Sequence, residues 1–257
     1  MKNSILHIKN SSIGYKSRKK IDVIATDISV LIDAPKLICL LGRNGIGKST
    51  LLRTLSRVQP TLEGEIILNS KKIEDYSSSD LSKKISIVLT ERIPSSNLSV
   101  YELIALGRQV YTNWIGTLTP ADKEKIKEAI ENVGIRELQN QKVDELSDGQ
   151  YQKVMIARAL AQDTSIILLD EPTAHLDIQN KAILFQLLKK LANEKIIIVS
   201  THELQMAIQN ADDLWLMSKG KFICGAKDEL INTTALNSLF DSNTLSFDKQ
   251  TKQFIFH

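Results

Sequence analysis

The sequence predicts an α/β fold with a parallel core sheet, an N-terminal antiparallel β subdomain and an inserted helical subdomain. Three observations predict it. The runs KLICLLG (36–42), SIILLDEP (165–172) and KIIIVSTH (195–202) are continuous apolar stretches of strand length that end in polar residues. Strands covered on both faces read this way, whereas half-exposed strands alternate. Helical patterns separate these runs, and buried strands alternating with helices build a parallel sheet. From Asn97 to about Ala161 the alternation stops. That block is helical in pattern, holds no buried strand, and therefore reads as an insertion.

Taken in order, ILHIKN (5–10) and IDVIATDISVLID (21–33) alternate like antiparallel strands with one exposed face. KLICLLG is the first buried strand, and a glycine-rich turn leads from it into the helix KSTLLRTLSRV (48–58). GEIILN (64–69) and KISIVLT (84–90) are further strands. SVYELIALGR (99–108), PADKEKIKEAIENVG (120–134) and GQYQKVMIARALAQ (149–162) are the helices of the insertion. The helices IQNKAILFQLLKKLANE (178–194) and ELQMAIQNA (203–211) flank the strand at 195–202. DLWLMSKGKFICG (213–225) predicts a hairpin turning at Lys219–Gly220, and LSFDKQTKQFIFH (245–257) predicts another. The expected organisation is a single domain over 1–257. Its core takes in 1–91 and 162–257, the helical insert 92–161, and a C-terminal extension 227–257.

Composition excludes several classes. Apolar residues at 42% supply a full core, and 25% charged residues is ordinary for a soluble chain. A net charge of +3 is too small for a nucleic-acid binder; the one dense basic run, KSRKK (16–20), reads as a solvated loop. The two cysteines stand in apolar strand contexts without metal-ligand spacing, as buried thiols of a reducing compartment do. MKNSILHIKNSS lacks the apolar centre of a signal peptide, and no run reaches membrane-spanning length. The chain is expected not to cross a membrane by itself.

GRNGIGKST (42–50) fits G-x-x-x-x-G-K-[ST] and stands between a buried strand and a helix, as that motif requires. Gly42, Gly45 and Gly47 let the backbone fold around phosphate oxygens with N–H groups inward, and Asn44 and Thr50 belong to the same loop. Lys48 places a cation on the outer phosphates, and the Ser49 hydroxyl suits Mg²⁺. SIILLDEP delivers two carboxylates to the end of a buried strand, where α/β folds bind ligands. Asp170 suits Mg²⁺ through a water, and Glu171 suits a general base on the attacking water. KIIIVSTH ends in a polar cluster, with His202 placed to hold the base and water in line. Together these residues indicate nucleotide hydrolysis.

VDELSDGQYQKVMIARAL (143–160) contains a second anion site. Ser147 stands at a helix N-cap position, where free backbone N–H groups and the helix dipole favour negative charge. A P-loop, a helical insert ending in LSDGQ and then ILLDEPTAHLD resemble, in order and spacing, the ATP-binding subunit of an ABC transporter. The resemblance spans almost the whole chain. It implies that Ser147, Gly149 and Gln150 belong to the signature motif, Asp177 to the loop after the Walker B strand, and His202 to the switch position. It also implies that Tyr15 stacks on adenine. In that family two subunits pair head to tail, so the signature of one covers the ATP of the other.

Two departures stand out. Asp148 occupies a signature position where glycine is usual, and its carboxylate is expected to point away from the composite site. Glu91 occupies the place of a glutamine that ends the strand before the insert; glutamate can accept from a Mg²⁺-bound water but cannot donate when ionised. SVYELIALGRQVYTNWIG (99–116) and the tail resemble the same regions in importers of iron–siderophore complexes, haem and vitamin B12.

The resemblance thus implies ATP and Mg²⁺ as cofactors, a homodimer beneath transmembrane permease subunits, and a substrate-binding protein as an indirect partner. It implies a peripheral place on the cytoplasmic face of the inner (plasma) membrane, reached only through the permease. The alternatives are an ABC ATPase serving an exporter or lipid transporter, or a soluble non-transport ABC protein. Those acting in translation usually carry two ATPase units, and this chain has one.

Overall fold

Strand β1 (Leu6–Lys16) pairs antiparallel with β2 (Ile21–Ile32), and β3 (Lys36–Leu41) leads through the glycine-rich loop into α1 (Lys48–Leu55). β4 (Glu63–Leu68), β5 (Lys71–Lys72), a short α2 (Ser78–Ser82) and β6 (Ile85–Val88) follow. Three helices then intervene: α3 (Val100–Ala105), α4 (Pro120–Val133) and α5 (Asp148–Ala161). The alternation resumes with β7 (Ile166–Asp170), α6 (Ile178–Leu191), β8 (Ile196–Thr201), α7 (Leu204–Asn210) and β9 (Asp213–Ser218). β10 (Lys221–Ala226), α8 (Lys227–Ile231) and the pair β11 (Leu245–Asp248) and β12 (Gln253–Phe256) complete the chain. This computed structural model describes residues 5–18, 20–90, 97–174, 176–239, 245–249, 251 and 253–256.

The strands form a six-stranded sheet in the order β10-β9-β3-β8-β7-β6 and a four-stranded antiparallel sheet in the order β2-β1-β4-β5. Within the larger sheet β9, β3, β8, β7 and β6 run parallel, and β10 is antiparallel to β9. Side chains of a strand alternate between faces. In β3, Leu37, Cys39 and Leu41 enter one apolar core, while Ile38 and Leu40 enter the other. β7 and β8 divide in the same way, with Ile167, Leu169, Ile197 and Val199 opposite Ile166, Leu168, Ile196 and Ile198. One core lies towards the antiparallel sheet and α1, the other towards α3–α5 and α6. This two-sided burial is why these strands read as unbroken apolar runs.

Local chemistry sets the helix starts in the insert. Ser99 with Glu102, Thr119 with Asp122 and Ser147 with Gln150 each form a capping box, in which side chain and backbone exchange hydrogen bonds. The hairpin at Lys219–Gly220 forms as predicted. Both residues take positive φ (40° and 79°), which matches the twist of the flanking strands. The tail hairpin also forms, pairing Leu245 with Phe256.

SVYELIALGR departs from the single helix that its pattern suggests. Its α-helix stops at Ala105 and tightens into a 3₁₀ turn over Leu106–Arg108. The cause is steric: a Cβ at Gly107 would lie 2.3 Å from the Arg158 carbonyl oxygen, so the chain presses directly on α5 there. Phe185 of α6 is fully buried in the core facing the insert. Phe185→Ala is expected to cost about 3–5 kcal/mol in urea denaturation; a loss below about 1 kcal/mol would contradict this placement.

Candidate active site

Residues 42–47 turn from the end of β3 into the start of α1. Gly45 and Gly47 take φ of 77° and 112°, which side-chain-bearing residues rarely adopt. Gly47 is further restricted by space, since a Cβ would lie 2.2 Å from Ile24 Cγ2. Lys48 is 5% exposed. Its ammonium donates to the carbonyls of Gly42 (2.7 Å) and Arg43 (3.3 Å) and lies 3.0 Å from Glu171 Oε1. A buried cation so surrounded is compensated and fixed in place. The loop, Lys48 and the start of α1 together suit a multiply charged anion.

β7 and β8 bring the acidic and polar groups to the same sheet edge. Asp170 is buried, and Ser200 Oγ donates to its Oδ1 at 2.6 Å. Glu171 has a φ of 46°, a left-handed conformation for a non-glycine residue. Two hydrogen bonds hold it there: its N–H donates to the Ser200 carbonyl (3.1 Å) and to Ser200 Oγ (2.9 Å). The carboxylate then points into the cavity, with Oε2 2.8 Å from His202 Nδ1. Among the described residues Oε1 is buried, faces Lys48 and accepts no aligned hydrogen bond. His202 itself is half exposed, and its Nε2 lies 3.5 Å from Glu203 Oε1. Thr90 Oγ1 donates to the Asp170 carbonyl (3.0 Å), tying the end of β6 to the same edge.

These groups line a cavity of about 450 Å³ with Tyr15, Asn44, Gly45, Gly47, Lys48, Ser49, Thr50, Glu171 and His202 in its wall. Tyr15 is half exposed at the rim, and its hydroxyl shares a 3.0 Å hydrogen bond with Thr50 Oγ1. Gly42 lies beneath Lys48, and Asp170 lies behind Glu171. Ser200 was not singled out from the sequence. The signal for it was a polar residue placed directly after four apolar ones in a buried strand.

The signature residues lie elsewhere. Among the described residues Ser147, Gly149, Gln150 and Asp177 do not line this cavity. Ser147 caps α5: the Gln150 N–H donates to Ser147 Oγ (3.3 Å), and the Ser147 N–H donates to Gln150 Oε1 (2.9 Å). Asp177 caps α6, accepting from the Asn180 N–H at 2.7 Å. A Cβ at Gly149 would meet Leu176 and Asn180 at 3.5 and 3.8 Å, so the start of α5 adjoins the Asp177 loop. Asp148, the first residue of α5, is exposed. Glu91 lies outside the described residues, as do His175 and His257.

Comparison with known proteins places this arrangement. The ABC transporter family model matches residues 25–174. The iron(3+)-hydroxamate import ATP-binding protein FhuC of Bacillus subtilis is 35% identical over 91% of this chain and 87% of its own length. The ferric enterobactin transport ATP-binding protein FepC of Escherichia coli is 34% identical, over 88% and 84%. Among solved structures, the dimeric structure of MJ0796, a bacterial ABC transporter cassette, superposes with a TM-score of 0.74 and 27% identity, covering 86% of this chain and 98% of that one. The matched residues 25–174 take in the glycine loop, Asp170 with Glu171 and the capped start of α5, and the chain belongs to the ABC transporter family.

Proposed function

We propose that this chain is the ATP-hydrolysing subunit of a membrane importer of iron chelates, working as a head-to-tail homodimer beneath permease subunits. The observation that carries the reading is the convergence of Lys48, Glu171 and His202 in one cavity, with Glu171 Oε1 buried and lacking an aligned donor.

The residues present fit ATP and Mg²⁺. The glycine loop leaves no room for a side chain at Gly47, and the cavity wall supplies a cation, hydroxyls and an aromatic ring. Among the described residues there is no cluster of three metal-ligating side chains. The Ser49 hydroxyl and the Asp170 carboxylate suit Mg²⁺, an ion that keeps several waters and takes one or two protein ligands. Mg²⁺ supplies neutralisation of phosphate charge. Tyr15 presents its ring to the base, and Asn44, Gly45, Gly47 and Thr50 hold the loop around the phosphates. Lys48 exchanges its carbonyl partners for phosphate oxygens. The Glu171 carboxylate takes a proton from the attacking water while His202 holds its Oε2. Ser200 keeps both carboxylates aimed.

Ser147, Gly149, Gln150 and Asp177 complete the site of a second copy. Their position outside the cavity of their own chain supports that reading, and so does the dimeric cassette it superposes on. In this reading the insert is 92–161 within a core of 1–91 and 162–257, followed by an extension at 227–257. The cargo class follows the relatives named for iron(3+)-hydroxamate and ferric enterobactin. Haem and cobalamin are the neighbouring classes indicated by the 99–116 segment, and a substrate-binding protein would deliver the cargo. Among the described residues no helix is long and apolar enough to cross a membrane. Trp114 (94% exposed) and Ile115 at the tip of that segment supply an apolar face for a permease. The chain thereby sits peripherally on the cytoplasmic face of the inner (plasma) membrane.

Glu171→Gln is expected to bind ATP, lose turnover and accumulate as a stable dimer on size exclusion; unchanged hydrolysis would exclude Glu171 as the base. Lys48→Ala should abolish binding of a fluorescent ATP analogue, and retained micromolar affinity would argue against the loop as the phosphate cradle. Ser200→Ala removes a partner from both Asp170 and the Glu171 N–H, at about 1–3 kcal/mol. Its turnover should fall about tenfold or more with ATP affinity retained; full turnover would show that Ser200 does not aim the carboxylates.

A further inference from the structure

The 3₁₀ turn that ends α3 carries a buried cation that the active site does not use. Arg108 is 7% exposed and Asp122 3% exposed. Arg108 Nε donates to Asp122 Oδ1 at 2.9 Å, while Nη1 donates to the Ala161 carbonyl at 2.8 Å. Ala161 is the last residue of α5, so the guanidinium satisfies an orphan carbonyl and opposes the negative end of the helix dipole. The outer face of the guanidinium stacks on the Tyr111 ring, 3.9 Å from its centroid. The Tyr111 hydroxyl donates to the Gln162 carbonyl (3.1 Å), and Gln162 Nε2 donates to the Ser82 carbonyl (2.6 Å) at the end of α2. Asp122 is held from its other side: Oδ2 accepts from the Thr119 hydroxyl (2.6 Å) and the Thr119 N–H (2.9 Å) at the start of α4. The Thr119 hydroxyl, and behind it the Thr119 N–H and Arg108, hold this carboxyl below the usual range against burial.

One guanidinium therefore ties together the start of α4, the C-terminal end of α5 and the segment that runs on to Trp114. The opposite end of α5 carries Ser147 and Gly149. Helices transmit displacement along their axis because their hydrogen bonds are continuous. Gly107, pressed on the Arg158 carbonyl, leaves no slack in this contact. Arg rather than Lys is required, since only a planar fork reaches Asp122 and the Ala161 carbonyl while stacking on a ring.

We propose that Arg108 is a positioning residue for ATP hydrolysis: its grip on the end of α5 sets where the signature residues at the other end meet the partner copy's nucleotide. This rests on the shared-site reading above. Arg108 does not line the cavity around Lys48, so its loss leaves that site intact and acts only once two copies meet. The exposed Trp114 lies three residues after Tyr111, whose ring stacks on the same guanidinium.

The test is Arg108→Lys, which keeps the charge and loses the fork. MgATP turnover is expected to show kcat lowered about ten- to a hundredfold, as misplacement of a positioned group does, with KM and binding of a fluorescent ATP analogue unchanged. In a Glu171→Gln background, ATP should drive dimerisation of the parent but not of the Arg108→Lys double variant. Unchanged kcat, or loss of nucleotide binding along with kcat, would overturn the proposal. Failure of Glu171→Gln alone to dimerise would instead overturn the shared-site reading, and this proposal with it. Tyr111→Phe, which removes one partly exposed hydrogen bond, guards against misfolding of Arg108→Lys. It should lower kcat about threefold with Tm lowered by no more than a few degrees, and an unchanged kcat there also counts against the proposal.

Discussion

Burial of β3, β7 and β8 on both faces is the constraint from which the site follows, because it leaves polar residues only one place to go. Each strand spends its interior on two apolar cores, so its chemistry is pushed to the C-terminal end. Parallel pairing then places those ends side by side, with Leu41 opposite Thr201 and Asp170 opposite Ser200. The glycine loop, the carboxylate pair and the Ser200–His202 cluster meet at one edge without any long-range instruction beyond strand register. A one-residue slip would exchange the two faces of a strand and separate the groups.

That edge is crowded with compensated charge. Lys48 and Glu171 are both largely buried and lie 3.0 Å apart, a pairing that would be costly if either partner were removed alone. The same pairing holds the Glu171 carboxylate beside the glycine loop. Glu171 accepts a left-handed φ to reach this position, and the backbone and side chain of Ser200 supply the compensation. Strain at the Glu171 carboxylate is thus balanced by a neighbour on the adjacent strand, not by its own segment.

Much of this was legible in the sequence for physical reasons. Unbroken apolar runs marked the central strands because both faces are buried, and GRNGIGKST was readable because phosphate cradling restricts residue type at several positions together. Lys219–Gly220 announced its turn through local conformation alone. What escaped were contacts between segments far apart in the chain. Ser200 differs from an ordinary strand-end serine only through β7 alongside it. Arg108 and Asp122 were not singled out, since nothing in either segment states that the end of α5 comes between them and water. The 3₁₀ end of α3 was missed likewise: its cause is the carbonyl of Arg158 on another helix.

In the proposed head-to-tail pair, Ser147, Gly149, Gln150 and Asp177 complete a site that no single copy contains. Ser147 and Gly149 stand on an exposed helix start outside their own cavity, and sharing between two copies gives that placement a purpose. The most direct measurement joins the two halves across chains. One chain carries Asn44→Cys and another Gly149→Cys, both in a Glu171→Gln background with Cys39→Ala and Cys224→Ala. Mixed and oxidised mildly, they should yield a disulfide-linked species of twice the chain mass when ATP is present and little without it. Absence of that species with ATP bound, or equal yield without nucleotide, would contradict a site shared between two copies.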